Sequence, residues 1–128
     1  MGTTSNKGRI LVIDDDPDMR TLLERVLSSA GYGVDLAADG KEGVRQFRMR
    51  QPAAVVTDLF MPNQEGLETI MQLHQEFPNV PIIAMSGKTA GKPLLPVAQK
   101  LGAVAFLEKP FTPDELLRAI SKVLESRA

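Results

Sequence analysis

The sequence predicts one α/β domain, a (βα)5 chain whose five parallel strands form a doubly wound sheet within a three-layer α/β/α sandwich. Short apolar runs alternate five times with longer segments in which apolar residues recur at helical spacing. The runs contain few polar residues, which is typical of strands buried on both faces of a parallel sheet. The length of 128 residues suits one domain, and right-handed crossovers would place helices on both sides of the sheet.

The first strand and helix are predicted from an apolar run followed by helix-start signals. The strand covers about Arg9–Asp14 and the helix about Pro17–Ala30. Asp16 can cap this helix, Pro17 suits its first position, and Gly31 allows a left-handed turn after it. The stripe expected to be buried consists of Met19, Leu22, Leu23, Val26, Leu27 and Ala30.

The next three elements follow from capping and turn residues. The second strand, Gly33–Ala37, contains Asp35 and is the least apolar, which favours an edge of the sheet. A capping box over Asp39–Glu42 opens the second helix, which ends before Pro52. The third strand covers about Ala54–Asp58.

A turn at Met61–Asn63 precedes the third helix, which runs to about Phe77. Its inner stripe is expected to contain Leu67, Ile70, Met71 and His74. The fourth strand covers about Pro81–Ser86. Pro93 and Pro96 fit only the first turn of a helix, so the fourth helix is predicted to be short, at about Leu94–Leu101.

The last two elements are a strand at about Ala103–Leu107 and a helix ending at about Ser126. Thr112 caps this fifth helix, Pro113 takes its first position, and Glu115 completes a capping box. We therefore predict a flexible polar tail over residues 1–8 and one domain over residues 9–128.

Composition excludes several classes of protein. Fifteen Lys and Arg residues against sixteen Asp and Glu residues give a net charge of −1, which argues against a nucleic-acid-binding domain. There is no cysteine, hence no disulfide framework and no thiolate metal site. No apolar stretch approaches a membrane span, and the start lacks the apolar core of a signal peptide, so a cytoplasmic location is expected.

Residues capable of chemistry follow four of the predicted strands. Asp14 and Asp15 follow the first strand, and Asp58 ends the third. The carboxyl ends of parallel strands share one edge of the sheet, where ligands bind. Carboxylates about 5 Å apart repel by roughly 3 kcal/mol at an effective dielectric near 20, so a divalent cation such as Mg²⁺ is expected among them. Lys109 would join this cleft, and its ammonium would pair with Asp58 or a phosphoryl oxygen. Ser86, after the fourth strand, offers a hydroxyl.

Four blocks of sequence resemble the receiver domain of two-component response regulators, over about residues 8–126. They are Ile10–Pro17, Asp58–Pro62 with Gly66-Leu67-Glu68, Ser86, and Phe106 with Lys109-Pro110-Phe111. The resemblance implies a flavodoxin-like sheet of order 2-1-3-4-5. It also implies a signalling module that catalyses only its own phosphorylation and dephosphorylation.

Residue roles are carried over from the resemblance position by position. Asp58 would accept a phosphoryl group from a phosphohistidine on a sensor histidine kinase or a phosphotransfer protein. Mg²⁺, or Mn²⁺ in its place, would be bound by Asp14, Asp15, Asp58 and the backbone carbonyl of Phe60. Lys109 would bind a phosphoryl oxygen.

Switching would involve Ser86 and Phe106. Ser86 would move to the phosphoryl group and Phe106 would turn inward, altering the face formed by helix 4, strand 5 and helix 5. That face would contact an output partner or domain, or pair two copies of the chain. No nucleic acid or membrane contact is expected of this domain. Phe106 stands where tyrosine is frequent, Gly87 replaces the usual alanine, and Phe60 is predicted to shield the phosphoryl group from water.

Three other functions remain open at the level of residues. A phosphatase of the haloacid-dehalogenase type would use Asp14 as nucleophile and Asp16 as general acid, but Asp58 would have no role. A flavin carrier of flavodoxin type needs a hydroxyl-rich phosphate loop, and here that loop is acidic. A receiver fold that only binds partners would not need Asp15, Asp58, Ser86 and Lys109.

Overall fold

The fold is a five-stranded parallel sheet in the order β2-β1-β3-β4-β5. It was obtained as a computed structural model, and the structure describes residues 7–59, 65–87 and 95–127. The strands are β1 (Arg9–Ile13), β2 (Gly33–Ala37), β3 (Ala54–Asp58), β4 (Ile82–Gly87) and β5 (Ala105–Lys109). The predicted architecture and strand order are confirmed, with β2 at one edge.

A helix follows every strand. They are α1 (Pro17–Ser29), α2 (Gly40–Arg50), α3 (Glu65–Glu76), α4 (Leu95–Leu101) and α5 (Pro113–Arg127). The predicted caps are present: Asp16 accepts from the backbone N–H of Asp18 at 2.9 Å, and Asp39 accepts from that of Glu42 at 2.8 Å. At α5 the capping box is reciprocal, with bonds of 2.8 and 3.1 Å between Thr112 and Glu115.

Two hydrophobic layers lie on opposite faces of the sheet, as alternation along buried strands requires. One layer, beneath α2, α3 and α4, includes Leu11, Ile13, Phe47, Val55, Ile70 and Ala84. The other, beneath α1 and α5, includes Ile10, Val12, Leu23, Val56, Ile83 and Leu116. The sheet is thus fixed from both sides, which fixes the positions of its strand ends.

The fifth strand begins two residues later than predicted. Val104 is 62% exposed and its N–H donates to the carbonyl of Ile82, while Ala103 still bonds back to Ala98 in α4. The strand continues to Lys109 because β4 extends to Gly87 and pairs with it. The apolar run that was predicted to form the strand therefore begins within the turn that follows α4.

Three residues of the predicted buried stripes lie outside the core. Leu22 is 50% exposed on α1 and Met71 is 40% exposed on α3. His74 is also exposed, on the side of α3 that contacts Gly102. Each lies at the margin of its helix's apolar arc, where helical spacing alone does not decide whether a side chain faces the sheet. Ile70 of the predicted α3 stripe is buried as expected, and the other buried positions of α3 among the described residues are Gly66, Thr69 and Leu73.

The polar residue of β2 is held by an ion pair across the sheet edge. Arg9 donates from Nε and Nη2 to the two carboxylate oxygens of Asp35, at 2.9 and 3.0 Å. The hydrogen bonds that Arg9 donates to Asp35 raise the pKa of the Arg9 guanidinium. Arg9 and Asp35 are diagonal neighbours in the β1–β2 register, so the pair stabilises that register.

Candidate functional site

Three carboxylates and one ammonium converge at the carboxyl edge of the sheet. Oxygen atoms of Asp14, Asp15 and Asp58 lie within 4.8 Å of one another. The Nζ of Lys109 lies 3.2 Å from Asp14 Oδ2 and 3.5 Å from Asp58 Oδ2. The predicted cluster is therefore present, and it forms because β1 and β3 are adjacent in the sheet.

The cluster is deep on one side and open on the other. Asp14 is fully buried and Asp58 is 4% exposed, whereas Asp15 is exposed. The Lys109 side chain retains 23% exposure. Buried charges are tolerated when they are paired, and Lys109 supplies that pairing to both buried carboxylates.

Hydrogen bonds to its own acidic side chains hold the loop between β1 and α1 in place. Asp14 Oδ1 accepts from the backbone N–H of Asp16 at 3.0 Å, and its Oδ2 accepts from Lys109. Asp16 is occupied as the cap of α1, as predicted. Arg20, to which the sequence analysis gave no role, donates to the backbone carbonyl of Asp14 at 2.7 Å. Asp15 is left at the mouth of the cleft.

Ser86 and Phe106 lie on one face of neighbouring strands. Ser86 is opposite Glu108, and Phe106 is opposite Ala84 in the β4–β5 register. Ser86 and Phe106 are therefore diagonal neighbours, within reach of an aromatic side chain. Ser86 is 1% exposed, and Phe106 is partly buried against the layer beneath α2, α3 and α4.

Gly66 belongs to one of the motifs shared with receiver domains, and its role is visible only in the structure. A Cβ placed on Gly66 would lie 2.7 Å from both the Cα and the carbonyl oxygen of Leu59, and closer still to the carbonyl of Asp58. These are backbone atoms, which cannot rotate away. Only glycine lets α3 approach the end of β3 this closely. A glycine at the start of a predicted helix is the sequence signal for such an approach.

Several predictions from the sequence fall wholly or partly outside the described residues: the polar tail over residues 1–8, Phe60, the turn at Met61–Asn63, Pro93 and the helix start at Leu94. The proposed backbone ligand at Phe60 and its shielding role stay predictions. The donor set that is described still suits a hard divalent cation, since carboxylate oxygens of three residues converge and no sulfur or imidazole ligand lies among them.

Comparison with known protein families identifies the kind of domain that carries this carboxylate cluster. A sequence profile described as the response regulator receiver domain matches residues 10–121. The chain belongs to the response regulator receiver domain family. A receiver domain is a signalling module of two-component systems, and its flavodoxin-like sheet of order 2-1-3-4-5 is the one found here.

The individual relatives of this receiver domain include transcriptional regulatory proteins and another receiver domain protein. FixJ, a transcriptional regulatory protein of Bradyrhizobium diazoefficiens, is 39% identical over 94% of this chain and 58% of its own. DctD of Pseudomonas aeruginosa, a C4-dicarboxylate transport transcriptional regulatory protein, is 37% identical over 93% of this chain and 26% of its own. A CheY-like receiver domain protein of Methanospirillum hungatei superimposes with a TM-score of 0.87 at 26% identity, covering 98% of this chain and 97% of its own.

The receiver domain thus spans only part of these regulators, between about a quarter and three fifths of their length. Among the helices in the described part of the chain, none combines the length and the apolar character needed to cross a membrane.

Proposed function

We propose that this receiver domain is switched by transfer of a phosphoryl group to Asp58 from a phosphohistidine of a sensor histidine kinase or phosphotransfer protein. The observation that carries the proposal is the Lys109 ammonium, 3.2 Å from Asp14 and 3.5 Å from Asp58. A lysine so placed pairs with the carboxylate before transfer and with a phosphoryl oxygen afterwards.

Asp58 is the best nucleophile of the three carboxylates. Asp14 is fully buried and its two oxygens accept from Asp16 and from Lys109, so neither can advance toward phosphorus, although a further lone pair can face a cation. Asp58 ends β3 beside the ammonium. A carboxylate oxygen of Asp58 would attack phosphorus, the nitrogen–phosphorus bond would break, and the imidazole would take up a proton. Hydrolysis would later release inorganic phosphate and restore the carboxylate.

Asp14, Asp15 and Asp58 would hold Mg²⁺, or Mn²⁺ in its place, and the Phe60 carbonyl is a predicted fourth ligand. Bound there, the cation would offset the charge of the carboxylates and of the transferred phosphoryl oxygens. The chain's own part is to hold the carboxylates within 4.8 Å of one another, despite their repulsion, by burying two of them and pairing both with Lys109.

Ser86 and Phe106 would transmit the change. Ser86 would move toward the phosphoryl group, and Phe106, its diagonal neighbour, would turn further into the space vacated on the same face. This would shift the population of two states of the α4–β5–α5 face, rather than create a new one. Val97 on α4 and Val104 before β5 are 42% and 62% exposed, which supports this face as the contact for an output partner, an output domain or a second copy.

The test is intact mass after incubation with Mg²⁺ and acetyl phosphate, for the wild type and Asp58→Asn. One phosphoryl adduct that hydroxylamine removes, and that is absent from Asp58→Asn, is the expected result. Asp16→Asn is the matched control within the cluster's loop and should still be phosphorylated.

Other outcomes of this experiment would favour a different function. An adduct that persists in Asp58→Asn would favour Asp14 as nucleophile and the phosphatase alternative. No adduct with acetyl phosphate or with a phosphorylated histidine donor would favour a module that binds partners without phosphorylation. Light-scattering mass that does not change on phosphorylation would count against pairing through the α4–β5–α5 face.

A further inference from the structure

The side chain of Arg20 connects α1 to the loop that carries two of the three clustered carboxylates. Its Nη1 donates to the backbone carbonyl of Asp14 at 2.7 Å. Its backbone N–H donates to the carbonyl of Asp16 at 3.0 Å, as the first turn of α1 requires. One residue therefore bonds to the carbonyls of the residues immediately before and after Asp15.

The remaining bonds of this loop leave little freedom. The N–H of Asp14 donates to the carbonyl of Ala37 in β2 at 3.1 Å, and its Oδ1 accepts from the N–H of Asp16 at 3.0 Å. Asp14 is fully buried, whereas Asp15 is exposed. The direction of the Asp15 carboxylate is thus set by its two neighbouring peptides, and Arg20 fixes the first of them from the α1 side.

We propose that Arg20 is a positioning residue for divalent-cation binding, holding the loop over Asp14–Asp16 so that Asp15 remains in reach of Asp14 and Asp58. This inference rests on the proposed function, because it concerns the same cation site. Groups that orient metal ligands commonly change metal affinity 10- to 100-fold when they are removed.

A positioning role and a purely electrostatic role of Arg20 predict opposite changes in Mg²⁺ affinity when Arg20 is removed, which makes the inference testable. Arg20 is a permanent cation beside a cation site. If its charge were its only effect, its removal would reduce repulsion and tighten Mg²⁺ binding. If it positions the loop, its removal weakens binding even though a positive charge has gone.

The experiment is calorimetric titration with Mg²⁺, without any phosphoryl donor, for the wild type, Arg20→Met and Arg20→Lys. We expect the dissociation constant to rise about 10-fold in Arg20→Met and by less in Arg20→Lys, which keeps the charge but not the planar guanidinium. Arg25→Met is the matched control, because Arg25 is exposed one and a half turns along α1, and its affinity should equal that of the wild type.

A second readout needs no metal. The N–H of Asp16, which bonds to Asp14 Oδ1, should exchange with solvent faster in Arg20→Met than in Arg25→Met, because the loop opens more often. Should Arg20→Met fail to fold by circular dichroism, Arg20→Lys decides: weaker Mg²⁺ binding at unchanged charge supports the role.

Two results would overturn the inference, and they are distinguishable. Mg²⁺ affinity that is unchanged or higher in the Arg20 variants would remove the positioning role and leave the proposed function standing. A wild type that does not bind Mg²⁺ would remove the cation site from the proposed function and the role of Arg20 with it.

Discussion

Replacing Asp58 by asparagine should make the metal-free protein more stable, although it removes a partner of a buried lysine. Asparagine has almost the same shape as aspartate, so the change is mainly one of charge. Asp58 lies within 4.8 Å of two other carboxylates and 3.5 Å from the Lys109 ammonium. The sign of the effect depends on whether the two carboxylate repulsions exceed the attraction to Lys109.

The distances give the answer by Coulomb's law at an effective dielectric near 20. Each repulsion at 4.8 Å amounts to about 3.5 kcal/mol, and the attraction at 3.5 Å to about 4.7 kcal/mol. The difference is about 2 kcal/mol in favour of the asparagine variant. Water around the exposed Asp15 screens one repulsion, so we expect a gain of about 1 kcal/mol, or roughly 3–5 °C in Tm.

The assay is thermal and urea unfolding in a chelator at low salt, followed by circular dichroism. Adding Mg²⁺ should stabilise the wild type more than Asp58→Asn, because a ligand adds RT ln(1 + [L]/Kd) of stability and the wild type, which keeps all three carboxylates, should have the lower Kd. Glu24→Gln, an exposed single-charge change on α1, is the control and should alter stability by less than about 0.5 kcal/mol. A variant that is equally or less stable than the wild type without metal would refute the reasoning.

Three further predictions concern the supports of the site and of the sheet. Gly66→Ala should lower the free energy of unfolding by about 1–3 kcal/mol by urea titration, because its Cβ would lie 2.7 Å from backbone atoms of Leu59; an unchanged value would contradict this close approach. Asp35→Asn should cost about 1 kcal/mol, since a charged bidentate pair at a half-exposed edge is lost, and the double variant with Arg9→Gln should lose little more. Arg48 on α2 donates hydrogen bonds to Glu76 and so lowers the pKa of that carboxyl below its usual range. The ionised carboxylate therefore stabilises the fold at neutral pH, and this stabilisation is lost as the pH falls through the lowered pKa. Glu76→Gln should accordingly destabilise the protein at neutral pH but not at a pH below that pKa.

The parts of the fold that the sequence predicts best are those with sharp local signals. The bounds of β2 and β3 agree with prediction, because turn residues flank both runs, and the caps at Asp16, Asp39 and Thr112 are confirmed. The predicted start of β5 was wrong because the apolar character of Ala103 does not show that its backbone N–H still bonds to Ala98 in the turn after α4.

The site was predicted to the extent that its chemistry resides in side chains. Asp14, Asp58 and Lys109 were brought together by one rule, that parallel strands end at a common edge. Gly66 and Arg20 were given no role because each acts on a backbone carbonyl, of Asp58 and of Asp14 respectively. Every residue has a backbone carbonyl, so the amino-acid sequence does not indicate which carbonyl a side chain or a neighbouring helix must approach.

The charge imbalance of the cluster explains why stability and function oppose each other here. The three carboxylates and the Lys109 ammonium together carry a net charge of −2 in a cleft that is buried on one side. Chains that avoided this would fold more stably, as the Asp58→Asn prediction states. The same imbalance equals the charge of one divalent cation, so a bound cation would make the cleft neutral. Lys109 pairs with both buried carboxylates. With a cation present, it could therefore follow the new negative charge that the proposed phosphorylation would place on Asp58, without leaving Asp14 uncompensated. The predicted instability of the metal-free site and the proposed response to a phosphoryl group would therefore have one physical origin.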